Sequence, residues 1–276
     1  MKIKYLGTAA YEGIPALFCE CETCKKSLKL GGKNLRTRSQ ALINDDLLID
    51  FNCDTLSHYY TYKMDWNKIR NCLITHSHDD HLYISDIMQL RGHDFSHPND
   101  DYSITFHAGL RSFKMLGDAF DLKGVNSNVL KNHFLEPFKE YQIASYKVIP
   151  LPANHDFTSS PYIYYIEKDD KKMVYGHDSG FFFEDVIDKL RTLKPLNFIS
   201  LDCTGALLKG WRDNHMSLDV NIELINRLKE EGIIDDKTII VSNHFSHNGK
   251  ATYEDLAKAA KPFNIIISYD GMEIEF

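Results

Sequence analysis

Short apolar runs separated by turns dominate the chain. Runs rich in β-branched and aromatic residues predict strands at 3–6, 39–51, 71–75, 102–108, 144–151, 162–168, 171–176, 197–202, 237–242, 264–270 and 272–276. Apolar positions at helical spacing fall between them, over 110–120, 183–193, 217–232 and 252–260. Ser217 and Thr252 stand where N-caps belong, and Gly232 where a helix would stop. The early strands come as hairpins, whereas the later ones alternate with helices. That mixture predicts two packed sheets with helices outside, in one domain over residues 1–276.

Polar clusters interrupt this pattern at strand ends. HSHDDH follows Thr75, Asn154-His155 follows the strand ending near Leu151, His177-Asp178 follows Val174-Tyr175, and Asn243-His244 follows Val241-Ser242. Four strand ends can thus converge on one rim, where loops on a rigid scaffold build sites. His177, His93 and His58 fit structural or supporting roles better, and Asp202 and Asp54 are placed to support ligands from behind.

Composition narrows the function. The 276 residues are 43% hydrophobic and 26% charged, ample for a packed core. A net charge of −7 argues against a broad nucleic-acid-binding face. No run of 18 apolar residues suggests a membrane helix, and MKIKYLGTAAYEGIPAL lacks the apolar core of a secretion signal, so a cytoplasmic protein is expected. Cys53, Cys72 and Cys203 sit singly in or beside apolar segments as buried free thiols.

Residues 71–82, NCLITHSHDDHL, place His76, His78, Asp80 and His81 within six positions. Alternate side chains of an extended or turning loop project the same way, so His76 and His78 can reach one ion together. Asp80 and His81 lie beyond the turn, where a helix is expected to start, and would face a second ion. Imidazole with carboxylate suits zinc, manganese or iron.

THSHDDH resembles the H-x-H-x-D-H signature of the metallo-β-lactamase superfamily, and later ligands follow in order in LPANH, YGHDSG and VSNH. The resemblance implies an αββα sandwich, an α/β fold of two mixed β-sheets flanked by helices, with two divalent ions at its edge. It assigns His76, His78 and His155 to one ion, Asp80, His81 and His244 to the other, and Asp178 to a bridging place. Two such ions lower the pKa of a shared water, so hydrolysis by a metal-bridging hydroxide is expected, with Asp80 also orienting it.

FCECETCKK carries a C-x-C-x-x-C spacing at Cys19, Cys21 and Cys24. Three thiolates can wrap one tetrahedral ion and leave a single vacancy. A helix starting near Thr23 would help hold Cys24 as thiolate. His247, three positions after His244, is the candidate to close a structural Cys3His zinc site while His244 turns to the catalytic pair. An iron–sulfur cluster would want a fourth cysteine. This site, with GTAAYEGIP and the late H-x-x-H, is most similar to the superfamily branch of the cyclic phosphodiesterase of phosphonate breakdown (the carbon–phosphorus lyase pathway). Proteins of pyrroloquinoline quinone biosynthesis carry a similar cysteine site, so the feature defines a subgroup and not a substrate, and a role of that type is an alternative reading.

A phosphodiester needs its leaving alkoxide protonated, which an imidazole can do at neutral pH. His215 in WRDNHMSLDV is the candidate acid, because N-H-M-S resembles the segment that acts at the leaving group in related phosphodiesterases. Arg36, Arg38, Arg91 and Arg212 are candidates for phosphate contact. The expected function is a dinuclear phosphodiesterase acting on a small nucleotide or sugar phosphate, cyclic forms included. A lactone or thioester hydrolase would use the same metals without His215, and a tRNA 3′-processing nuclease would want a basic arm that the chain lacks. The complete ligand set argues against a non-catalytic metal-binding protein. Residues 102–135 either cover the site or supply a homodimer contact.

Overall fold

In the computed structural model, which describes residues 1–91, 95–125 and 128–276, both faces of nearly every inner strand are apolar. The chain first forms β1 (Lys2–Gly7), α1 (Glu22–Leu30), β2 (Gln40–Ile43), β3 (Leu47–Ile49), α2 (Thr55–Tyr62), β4 (Asn71–Ile74), α3 (Ile84–Ile87), β5 (Ile104–Ala108), α4 (Leu110–Lys123) and β6 (Leu130–Phe134). It continues with β7 (Tyr141–Ile143), β8 (Tyr146–Pro152), β9 (Tyr162–Lys168), β10 (Lys171–Gly176), α5 (Glu184–Leu193), β11 (Phe198–Asp202), α6 (Leu218–Glu230), β12 (Ile239–Asn243), α7 (Tyr253–Ala260), β13 (Ile265–Ile267) and β14 (Glu273–Glu275).

Two seven-stranded sheets result, ordered β14-β1-β2-β3-β4-β5-β6 and β13-β12-β11-β10-β9-β8-β7. Each is mixed. The first is antiparallel from β14 to β3 and parallel from β3 to β6. The second is antiparallel from β7 to β10 and parallel from β10 to β13.

Alternation explains the layering. Val148, Tyr164, Ile166, Met173, Tyr175 and Phe198 face Ile3, Tyr5, Ile43, Ile49 and Leu73 between the sheets. Their neighbours Ile149, Ile163, Tyr165, Val174 and Ile199 point outward, where Val186, Leu190, Leu224, Leu228 and Leu256 of α5, α6 and α7 cover them. Leu42, Leu48, Cys72 and Ile74 face outward from the first sheet beneath the layer of α2, α3 and α4. Strands buried on both faces become continuous apolar runs, as the sequence shows. The arrangement is the expected αββα sandwich.

Several boundaries differ from expectation. The run 39–51 is broken by left-handed Asn44 and Asp45 into the β2–β3 hairpin. The expectation missed β6, β7 and α2. LKNHF is an edge strand with polar residues outward, β7 has three residues, and TLSHYYTY is poor in helix formers and packs by docking. Thr252 caps α7 through a capping box with Asp255, and Gly232 adopts φ +65° just past α6.

Candidate active site and metal centre

The ends of β4, β8, β10, β11 and β12 converge on one rim, and their loops bring the expected side chains together. Asp80 and His81 do not start a helix. They occupy a turn in which the His81 and Leu82 amides donate to the His78 carbonyl, ahead of the four-residue α3.

Two clusters form. His76 Nε2 lies 2.9 Å from His78 Nδ1, and His155 Nε2 lies 3.4 Å from the same atom. Alongside, His81 Nε2 is 3.1 Å from Asp80 Oδ2 and 2.5 Å from Asp178 Oδ2, and His244 Nε2 is 3.1 Å from Asp178 Oδ2. Asp178 also stands 3.9 Å from His76 Nε2, between the clusters. Asp178 and His244 hold left-handed φ values of +49° and +63°, a cost that non-glycine residues bear mainly where a side chain must be aimed.

Every one of the five imidazoles is anchored by its other nitrogen. His76 Nδ1 contacts Thr75 Oγ1 at 3.1 Å, His78 Nε2 donates to Asp156 at 3.2 Å, and His155 Nδ1 donates to the Asn214 carbonyl at 3.2 Å. His81 Nδ1 donates to Asp50 at 2.7 Å, and His244 Nδ1 lies 2.9 Å from Thr204 Oγ1. With the outer nitrogens so engaged, the inner ones present lone pairs to one another, which repel unless a proton or cation lies between them. His81 Nε2, His244 Nε2 and Asp178 Oδ2 are buried without a hydrogen-bond partner, although both nitrogens lie within 3.1 Å of that oxygen. Convergent orphaned donors with oriented outer nitrogens are the arrangement metal ligands take.

Electrostatics agree. Burial would lower His81, but Asp80, Asp50 and Asp178 raise it well above the ordinary histidine range. Burial would likewise lower His244, yet Asp178 and Asp202 lift it to about 10. Asp178 is held well below the carboxylate range by His244 and His81 against the effect of burial. His76 goes the other way, pushed far down by burial and by His81. The cluster therefore holds protons that divalent cations would displace.

Behind the ligands sit two buried carboxylates. Asp202 was expected there: it accepts from the Thr204 and Met216 amides and contacts His215 Nδ1 at 3.1 Å and His244 Nδ1 at 3.3 Å. Asp54 does not support a ligand; it binds Arg38. Its expected place is taken by Asp50, which the sequence reading missed. Asp50 accepts from the Thr75 amide and hydroxyl and from His81, and only its position at the end of β3, beside β4, could have signalled this.

His215 lines the pocket over these clusters, a cavity of about 570 Å³. Burial would lower its pKa, but Asp202 and Asp178 raise it above the usual value. His177 and His58 are structural: His177 bonds Ser200 and Asn243, and His58 bonds Gln40 and Thr37. His93 lies outside the described residues. None of the four candidate arginines lines the pocket. Arg36 is buried against Thr8 and the Ser268 carbonyl, Arg38 pairs with Asp54, Arg91 stacks on Phe95 and Arg212 pairs with Glu223. None of the described residues of 102–135 lines it: Phe113 packs on Phe134, and Phe120 of α4 is buried in the core beneath the first sheet's helices.

A second cluster joins Cys19, Cys21, Cys24 and His247. His247 Nδ1 lies 3.4 Å from both Cys19 Sγ and Cys21 Sγ. Two ligands on one tetrahedral zinc would stand roughly 3.6 Å apart, given the usual Zn–S and Zn–N lengths. The N-cap of α1 is Cys21, whose sulfur accepts from the Cys24 amide. The helix N-terminus therefore favours the Cys21 thiolate and not, as expected, that of Cys24. Against burial, His247 and the Cys24 amide lower Cys21 to about 6, while burial pushes Cys24 up to about 12.

A family model described as the beta-lactamase superfamily domain matches residues 47–234. The chain belongs to the metallo-β-lactamase superfamily. That superfamily is one of metal-dependent hydrolases, and the described residues include His/Asp groups of the kind its metals require. Solved structures share the fold: a diphosphatase of the PhnP family (20% identity, TM-score 0.75, covering 100% of this chain and 97% of that one), zinc-bound PqqB from Methylobacterium extorquens (17%, 0.76, 100% of both) and the short form of human tRNase Z (13%, 0.66, 100% and 99%). No curated protein sequence matches. Among the described residues no helix is long and apolar enough to cross a membrane.

Proposed function

We propose that the protein is a phosphodiesterase that hydrolyses a small nucleotide or sugar phosphodiester, cyclic forms included, with two zinc or manganese ions (iron being a further candidate). His76, His78 and His155 would hold one ion, Asp80, His81 and His244 the other, and Asp178 both. Cys19, Cys21, Cys24 and His247 would hold a structural zinc. Bound there, the catalytic pair supplies a water nucleophile at neutral pH and draws charge from a phosphoryl oxygen.

The observation that carries the reading is His215. Its Nδ1 is engaged by Asp202, which leaves Nε2 as the atom able to give a proton in the pocket. The raised pKa keeps that proton available at neutral pH. As water oxygen bonds to phosphorus and sheds a proton to solvent, the ester P–O bond breaks and His215 protonates the departing alkoxide, its own proton being restored from solvent. Asp202 and Asp178 keep the ring oriented, and Asp80 orients the attacking water. The products are a monoester and an alcohol. A lactone or thioester hydrolase has less need of such an acid, and a nuclease gripping tRNA would want cations that the pocket lining does not offer.

The test is a parallel assay of manganese- and zinc-loaded protein on bis(p-nitrophenyl) phosphate, a 2′,3′-cyclic nucleotide, a homoserine lactone and a thioester, with Asp80→Ala as control. Cleavage of the two diesters alone, lost in the variant, is expected. Turnover confined to the lactone or thioester would overturn the reading.

A further inference from the structure

Beyond its histidines, the wall around the metal clusters carries carboxylates and aromatic rings. Glu12 and Asp79 line the pocket, and neither belongs to a ligand group. No lysine or arginine among the described residues lines it. Arg38, whose Nε donates to the Tyr11 carbonyl, and Arg212, next to Trp211, are turned to Asp54 and Glu223.

Tyr11 and Trp211 line the same pocket. Tyr11 leaves 59% of its surface in water, and the Trp211 indole stands edge-on to the His215 ring at 6.0 Å. A bulky ring left open at the mouth of a site is a stacking surface for a flat ligand. The charge balance matters equally. Asp80 and Asp178 would be matched by the divalent cations of the site and Glu12 faces His247 Nε2 at 3.6 Å, whereas Asp79 has no ion-pair partner among the described residues. One phosphodiester anion would be met by the metals and His215; a further phosphate would lie near Asp79, with no lysine or arginine of the lining to neutralise it.

We propose that this pocket selects a monoanionic phosphodiester whose retained alcohol carries a flat aromatic group such as a nucleobase, and rejects the same diester once another phosphate is attached. The proposal rests on the phosphodiesterase reading. Specificity is set by stacking on Tyr11 and Trp211 and by the charge of Asp79.

Three p-nitrophenyl diesters with the same leaving group test it on the metal-loaded protein: those of methyl phosphate, of thymidine 5′-phosphate, and of thymidine 3′,5′-bisphosphate. The nucleoside ester should exceed the methyl ester roughly tenfold in kcat/KM, the scale of one stacking contact. The added 3′-phosphate should reverse that gain by a similar factor, and Asp79→Asn should narrow the loss at least roughly threefold. Tyr11→Ala, at an exposed position, should remove most of the nucleoside preference, read as the ratio of nucleoside-ester to methyl-ester kcat/KM. Thymidine 5′-monophosphate should quench Trp211 fluorescence without turnover. Equal rates on the methyl and nucleoside esters, or a faster bisphosphate, would overturn the proposal and leave the phosphodiesterase reading standing. Failure of the fully loaded protein to cleave any of the three would overturn that reading and the proposal with it.

Discussion

His215 and His244 share Asp202 and Thr204 as neighbours, and their rings stack at 5.8 Å, yet the account gives them different work. His244 is fully buried with Nε2 against Asp178, whereas His215 keeps a face on the pocket. Its removal should therefore depend on the leaving group. His215→Ala should slow diesters of ordinary alcohols by about 10²–10⁴ and nitrophenyl esters far less, because a nitrophenolate needs little protonation. Equal losses would remove His215 as the acid. His58 carries a different prediction. Buried against Gln40 and Thr37, it is lowered from 6.5 to about 4 and stays neutral in the folded state. The unfolded chain binds that proton first, so its contribution is full above pH 6.5 and lost as pH falls toward 4, up to about 3 kcal/mol in all. Urea midpoints at pH 7.5 and 5 should show a shallower fall in His58→Gln than in the unaltered protein; an unchanged slope would contradict this.

At the scale of elements, the loops at the strand ends carry the chemistry, and this was the most legible part of the sequence. His76, His78, Asp80 and His81 crowd into one loop, and each later ligand follows an apolar run. The supports were less legible because their partners are distant in the chain. Asp50 meets a histidine 31 positions on, and Asn214 anchors His155 through a backbone carbonyl that any residue could supply. The cysteine knuckle is tied to the same region. His247 follows His244 at the end of β12, and Glu12 beside it accepts from Ser246. His247→Ala should release one zinc per chain, counted by elemental analysis, and lower the unfolding midpoint by about 5–10 °C, the scale of roughly 2–3 kcal/mol in a chain of this size. The catalytic ions should stay. Full stability with activity lost would contradict the structural role.

At the scale of the molecule, the two halves of the chain each supply most of one sheet, and the last strand crosses back. β14 pairs with β1, and the N-terminal amine reaches the Phe276 carbonyl at 2.8 Å. We propose on this ground that residues 1–276 fold as one domain. The layered architecture was legible because strands buried on both faces leave unbroken apolar runs. Edge strands such as β6 were not, since their solvent side writes a polar pattern resembling a loop. The sandwich also puts ligands from both halves on one rim, His76 to His81 from the first and His155, Asp178 and His244 from the second. The most direct measurement is therefore a metal titration of chelator-treated protein, following bound ions and bis(p-nitrophenyl) phosphate hydrolysis together. Activity should be absent at first, return as two ions per chain fill the rim, and be lost in Asp178→Asn while the cysteine-bound zinc remains. Hydrolysis by the metal-free protein, or two bound ions without any diester cleavage, would contradict the account.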